Sequence, residues 1–196
     1  MLTFFFACVL LIGTPGPGVL SLAGVGSAYG TRDGARFLGG LWLGNLLVSL
    51  TVVSGLAAVM LAEPRVRTLL ALASAGYLLW LAYKIAFAGA RVAFIERPSP
   101  PGISGGVLLQ IINPKAYAVN TAIFANFPFM ADRPGLEIIV KLLIFNGIWL
   151  VSHLVWLWFG VNIRRFDLPQ RTQRTINVVM ALAMLGVVVL AILVQR

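Results

Sequence analysis

Apolar runs of about twenty residues, separated by short clusters of charge, recur along this chain, and that spacing constrains its fold more than any single motif. About 20 helical residues cross a hydrocarbon core of roughly 30 Å. Backbone surrounded by lipid must satisfy its own hydrogen bonds, so runs of that length become helices. The composition agrees. With 60% hydrophobic and 11% charged residues and a mean hydropathy of +0.95, too little charge is left to cover a soluble domain. The expectation is an all-α membrane protein of about six transmembrane helices, forming one transporter-sized domain over residues 1–196.

The segments run from about Leu2 to Tyr29, Phe37 to Leu61, Thr68 to Ala90, Gly105 to Met130, Leu136 to Val161 and Thr175 to Val194. Short polar connections separate them, among them Thr31-Arg32-Asp33-Gly34 and Asp132-Arg133-Pro134-Gly135. The longest connection contains Arg97-Pro98-Ser99-Pro100-Pro101-Gly102 and reads as a linker between two halves. Repeat one covers about 1–92 and repeat two about 104–196. Three helices per half force the halves to be inverted. Each half opens with a proline-interrupted helix, the pattern that points to a transporter binding site. Asn45 follows Pro15 by 30 residues and Asn146 follows Pro114 by 32, so the second helix of each half carries an asparagine at a matched place.

Basic residues set the orientation. Arg32, Arg36, Arg91, Arg97, Arg164, Arg165, Arg171 and Arg174 fall on one side, with Lys84 near a helix end. Arg65, Arg67, Arg133, Lys141 and Arg196 fall on the other. The richer side is expected in the cytoplasm and both termini outside. The N-terminal run lacks a basic leader region and a small-residue cleavage site, so it reads as a retained first helix. The net charge of +9 forms no contiguous basic stripe. It suits anionic lipid headgroups rather than nucleic acid. The single cysteine, Cys8, excludes a disulfide or thiolate metal site within one chain.

Two clusters carry the chemistry. In Gly13-Thr14-Pro15-Gly16-Pro17-Gly18, two prolines remove backbone donors and the glycines permit angles closed to other residues. The helix should unwind there near mid-bilayer, leaving carbonyls unpaired before the break and N–H groups after it. Such groups are tolerated only facing protein or a wet cavity, and the positive end of the following half-helix suits a carboxylate. The second cluster is Asn113-Pro114-Lys115, where Lys115 stands as the one basic residue well inside a predicted span. An unpartnered charge there costs roughly 2.5–3.5 kcal/mol on insertion scales. It therefore either holds an anionic substrate group or clamps freed carbonyls. Asn45, Asn120, Asn126, Asn146, Ser152, His153 and Asn177 are further intramembrane polar groups, each suited to interhelical hydrogen bonding as well as to lining a cavity. His153, the only histidine, is a candidate proton relay.

No Asp or Glu falls clearly inside a predicted span, so a carboxylate proton relay is not expected. Metal-ligand clusters, hydrolytic triads and phosphate-binding glycine loops are likewise missing from the sequence. Neither metal nor cofactor is expected. A channel or cation/metal exporter would want ringed carboxylates or soft ligands. A membrane-embedded enzyme or lipid flippase would want a catalytic pair, and a scaffold would not need the breaks.

Pro15-Gly16-Pro17, Gly76-Tyr77-Leu78-Leu79-Trp80-Leu81 and Asn113-Pro114-Lys115-Ala116 resemble motifs of the lysine exporter and threonine/homoserine efflux family. Asn177 and Met184-Leu185-Gly186 are a weaker echo. The resemblance implies a cytoplasmic-membrane permease of about six spans that exports small amino acids or similar metabolites, driven by an ion gradient. Pro15, Gly16, Pro17, Asn113, Pro114 and Lys115 are the motif residues carried over, and Gly18 departs from the Asp or Asn of many relatives. The substrate-binding candidates are thus Thr14, Pro15, Gly16, Pro17, Gly18, Asn45, Asn113, Pro114, Lys115 and Asn146, with partners limited to the substrate, the bilayer and a second copy in a homodimer.

Overall fold

Helix boundaries in this chain follow its prolines and glycines. The computed structural model describes residues 1–87 and 99–165, with single helical positions at 172, 175, 178, 179 and 182. In it α1 spans Leu2–Gly13 and α2 spans Pro17–Tyr29. Thr14 and Gly16 precede the two prolines and are both extended (ψ 125° and −178°), because a following proline ring disfavours the helical region. The axis bends by 53° across the interruption. Gly30, at φ 85°, turns the chain directly into α3 (Thr31–Val53). Thr31 to Gly34, expected as a loop, is instead the first turn of α3. Asp33 lies there, where the helix dipole favours an acid, 3.5 Å from Arg36.

Gly55, left-handed at φ 78°, separates α3 from the short α4 (Leu56–Ala62), so the expected continuous segment from Phe37 to Leu61 is split. α5 follows as Pro64–Phe87. Beyond the linker come α6 (Gly102–Ile112) and α7 (Pro114–Ala125), joined by Asn113, which is extended ahead of Pro114 (φ −80°, ψ 107°). The long α8 is Pro134–Arg165.

Among the described residues, three stretches are long and apolar enough to cross a membrane: α3, Pro64–Ile85 and Pro134–Ile163. The bent pair α1–α2 makes a fourth if taken as one span. α6 and α7, of 11 and 12 residues, are each too short at 1.5 Å per residue. Three or four spans therefore stand where six were expected. The sixth segment, Thr175 to Val194, falls outside the described residues apart from isolated positions, as does the linker before Ser99. Large apolar side chains face outward along these helices, Leu10 (71% exposed) and Leu143 (70%) among them. A soluble surface does not carry such a continuous apolar coat, and the chain is a multi-pass membrane protein.

The interior is built from Leu22, Phe37, Leu41, Leu81, Leu109 and Phe145, all essentially inaccessible. Within the Gly76–Leu81 motif, Leu78 and Leu81 point into this core, while the Tyr77 hydroxyl donates to the Gly105 carbonyl at 2.8 Å and ties α5 to α6. α3 lies closely along α6 and α8 along α2, whereas α1 and α7 are more loosely packed on α8 and α3. Glycine makes the close crossings: a Cβ on Gly106 would strike the Phe37 carbonyl and Leu41 amide, and one on Gly160 the Ala23 backbone. Small residues let membrane helices approach in this way.

Glu137, expected in a loop or at a helix end, and Lys141 are buried in the first turns of α8 (7% and 4% exposed). They form a 2.9 Å ion pair. The second Glu137 oxygen accepts from the Phe129 and Met130 amides (3.0 and 2.5 Å), and Lys141 Nζ donates to the Asn126 carbonyl at 3.0 Å. Lys141 is thus more deeply buried than Lys115, which is part-buried. The pair fastens the stretch between α7 and α8, where Phe127 is held at φ 61°.

Candidate functional site

The two helix interruptions meet at one cavity. Each presents an unfinished helix. At the end of α1, Leu10 accepts from both the Thr14 amide (3.2 Å) and the Thr14 hydroxyl (2.7 Å), and Pro15 and Pro17 supply no amides to the remaining carbonyls. At the start of α2, Pro17 occupies the first turn, and the Gly18 and Val19 amides lack an intrahelical acceptor. At the start of α7, the Asn113 side chain caps the Lys115 amide at 3.1 Å, a standard N-cap interaction.

Lys115 bridges the two interruptions. Its ammonium donates to the Thr14 carbonyl oxygen at the C-terminal end of α1, where the helix dipole favours a cation. Its stem passes over Gly16, and a Cβ there would lie 2.8 Å from Lys115 Cδ. Gly16 thus has a packing reason to lack a side chain.

The cavity has about 50 Å³ of free space, small beside the roughly 300–1,000 Å³ of typical small-molecule sites. Thr14, Gly16, Gly18, Asn45, Asn113, Lys115 and His153 all line it. Pro15, Pro17 and Pro114 do not; they shape the backbone around it. Asn146 does not line it either. Phe145, Trp149 and His153 do, and they recur every four residues along one stripe of α8. Asn146 stands about 100° round the helix from Phe145. Its Nδ2 donates to Leu142 at 2.8 Å, and its Oδ1 is buried without a partner.

Gln110, Trp149 and Asn120 complete the lining. Asn45 Oδ1 accepts from Gln110 Nε2 (3.3 Å) and Asn120 Nδ2 (3.4 Å), and Ser49 donates to Asn120 Oδ1 at 2.6 Å. Asn45 Nδ2 and Gln110 Oε1 remain buried with no partner. Gln110 carries one sequence signal, a polar residue three before Asn113 on the same helical face. The His153 ring stacks on Trp149 (centroids 3.5 Å apart, 16° between planes), and its Nδ1 lies 2.8 Å from the Trp149 carbonyl. Among the described residues, no three His, Cys, Asp or Glu side chains are grouped to hold a metal. Among the described residues, Lys115 is the one lysine, arginine, aspartate or glutamate on the cavity wall.

A second cleft of about 460 Å³ lies between the ends of α3 and α7, α4 and the start of α8, lined by apolar residues and Thr121. It offers no charged group.

A cavity of this kind invites comparison with known transport proteins. The chain is 34% identical to a cysteine/O-acetylserine efflux protein of Salmonella paratyphi A over 116 residues, 59% of each chain. That match spans less than two thirds of the relative's length. A leucine efflux protein of Klebsiella pneumoniae is 26% identical, over 71% of this chain and 68% of its own. A cysteine/O-acetylserine efflux protein of Escherichia coli O139:H28 is 24% identical over 94% of both chains. No solved structure matches. The profile of the LysE type translocators matches residues 9–195, nearly the whole sequence, and this chain belongs to that family.

Proposed function

We propose that this protein is a secondary transporter, not an enzyme, that exports a small amino acid or a similar metabolite across the cytoplasmic membrane, driven by an ion gradient. The observation that carries the reading is Lys115, a cation held where two interrupted helices meet at one cavity. A substrate carboxylate would take Lys115 Nζ together with the Gly18 and Val19 amides, the arrangement that favours anions at helix N-termini. Asn113 shapes the start of α7, and Asn45 offers its unpartnered Nδ2. The efflux proteins of Salmonella and Klebsiella named above carry cysteine, O-acetylserine and leucine in their names, which sets the first panel to try.

Alternating access fits two inverted halves, each opening with an interrupted helix. A two-fold axis in the membrane plane would exchange α1–α2–α3 with α6–α7–α8. The close α3–α6 crossing then corresponds to α8–α1, and α2–α8 to α7–α3. The first of each pair is tight here and the second loose. The opposite conformer would reverse that, opening the glycine crossings and tightening α1 on α8 and α7 on α3. In this reading the interruptions lie near mid-bilayer, the closed side is cytoplasmic, and both termini are outside.

Everted membrane vesicles from cells producing the protein test the function. Uptake of at least one of L-cysteine, O-acetyl-L-serine and L-leucine should exceed that of vesicles lacking it and rise with an imposed pH gradient. No excess uptake across a broad amino-acid panel would overturn the proposal.

A further inference from the structure

The floor of the cavity at Gly18 is bare, and two acceptors flank it. A Cβ on Gly18 would sit 3.5 Å from His153 Nε2 and 3.6 Å from Gln110 Oε1, ordinary contact distances, so both atoms face one small open volume. Gln110 is 4% exposed, and its Oε1 has no hydrogen-bond partner. Leaving such an acceptor buried and unpaired is costly, which points to a donor that arrives with the substrate. The His153 tautomer follows from its neighbour. Nδ1 faces the Trp149 carbonyl at 2.8 Å, and a carbonyl only accepts, so in the neutral ring Nδ1 carries the proton and Nε2 keeps its lone pair. Stacking on Trp149 holds the ring in that orientation.

We infer that the space above Gly18 is the ammonium subsite, in which Gln110 Oε1 and His153 Nε2 accept hydrogen bonds from the substrate's –NH₃⁺, in competition with a proton on Nε2. This rests on the transport reading above and extends it to the substrate's other end. Lys115 takes the carboxylate and the Gly18 pair takes the ammonium, so the favoured ligand is a zwitterion with a neutral side chain. A second cationic group would meet Lys115 with no carboxylate on the wall to balance it. Among the described cavity residues, the groups that face His153 from α1, α2, α3 and α6 do not titrate; from α7, Lys115 does.

The competition supplies a coupling step without a membrane carboxylate. A proton from the more acidic outer water adds to the Nε2 lone pair, removes the acceptor and releases the ammonium. On the less acidic inner side, Nε2 returns the proton to water and the next substrate binds. One proton enters for each zwitterion that leaves.

Binding to the purified protein in detergent tests this, using whichever of L-cysteine, O-acetyl-L-serine and L-leucine binds best, and its 2-hydroxy acid counterpart. For the wild type, log Kd of the amino acid should rise by about one unit for each pH unit below the His153 titration, while the hydroxy acid shows no such slope. His153→Gln should abolish the slope. Gly18→Ala, whose methyl fills the subsite at ordinary contact distance, should weaken the amino acid about tenfold or more. The subsite is overturned if Gly18→Ala binds the amino acid as tightly as the wild type, or if the slope survives in His153→Gln. If the wild type binds none of the panel, the transport reading itself fails, a different result from either of these.

Discussion

The Lys115 ammonium donates to the carbonyl oxygen of Thr14, joining two helix interruptions that lie 101 residues apart in sequence. The contact places a positive charge against the negative end of α1 and beside the positive end of α2. The same group that closes the structure is thereby positioned to receive an anion. The predictions below follow from that dual position and from the packing that supports it.

Gly16 lets Lys115 reach Thr14. An added methyl would lie 2.8 Å from Lys115 Cδ and 3.0 Å from Nζ, and the flexible stem would yield by moving the ammonium off the carbonyl. Gly16→Ala is expected to lower transport about tenfold, the worth of a hydrogen bond to a charged group. In a Lys115→Ala background the same change should have little further effect. A double-mutant cycle of transport rates measures the coupling; additive losses would show that the two residues act separately.

The glycine crossings should matter for movement more than for assembly. Gly160→Ala drives a methyl into the Ala23 backbone, which the close α2–α8 crossing cannot absorb. Net export by this variant should fall at least tenfold, roughly the effect of a one- to two-kilocalorie bias between conformers, while amino-acid binding in detergent persists. Proteoliposome flux and detergent binding, measured on one preparation, separate the two effects.

The Glu137–Lys141 pair is a fastening outside the substrate cavity. Replacing either residue alone, as Glu137→Gln or Lys141→Met, leaves the other charge buried without its partner, which is worse than removing both. Each single variant should melt at a lower temperature than the double variant Glu137→Gln/Lys141→Met. Thermal unfolding in detergent checks the order. Substrate affinity in whatever folds should be unchanged.

Asn146 and Gln110 should behave oppositely. Asn146→Leu removes a side chain that lies off the cavity stripe of α8, and transport should stay within about twofold of wild type, as for a change remote from a site. Gln110→Leu removes an acceptor from the cavity wall and should lower transport about tenfold. Initial rates of uptake into everted vesicles compare the two directly.

These residues also show which parts of the arrangement were legible in the sequence. Pro15, Pro17 and Pro114 announce their extended predecessors because the proline ring acts locally, on the residue before it. Lys115 stands out because a charge in an apolar run needs a partner wherever it points. Asn146 misleads because sequence offset carries no information about helix face to better than a residue, and one residue is about 100°. Trp149 becomes visible only once α6 and α8 are seen to converge on Gly18, and Gln110 had only its spacing from Asn113 to mark it. The fastening by Glu137 and Lys141 had one local sign, their four-residue spacing; their burial depends on backbone amides and a carbonyl from residues 126–130, whose path no local pattern states. The split of the second segment at Gly55 turns on a left-handed backbone angle at one of several glycines, and the sequence does not say which.

The most direct test of the central claim is transport by Lys115→Ala in proteoliposomes with a pH gradient, beside wild type reconstituted at the same density and shown by its melting curve to be folded. The account predicts gradient-driven movement of at least one of L-cysteine, O-acetyl-L-serine and L-leucine by the wild type, and a loss of about a hundredfold in the folded variant, as expected when a buried charged partner of a carboxylate is removed. Transport by folded Lys115→Ala at the wild-type rate would contradict it.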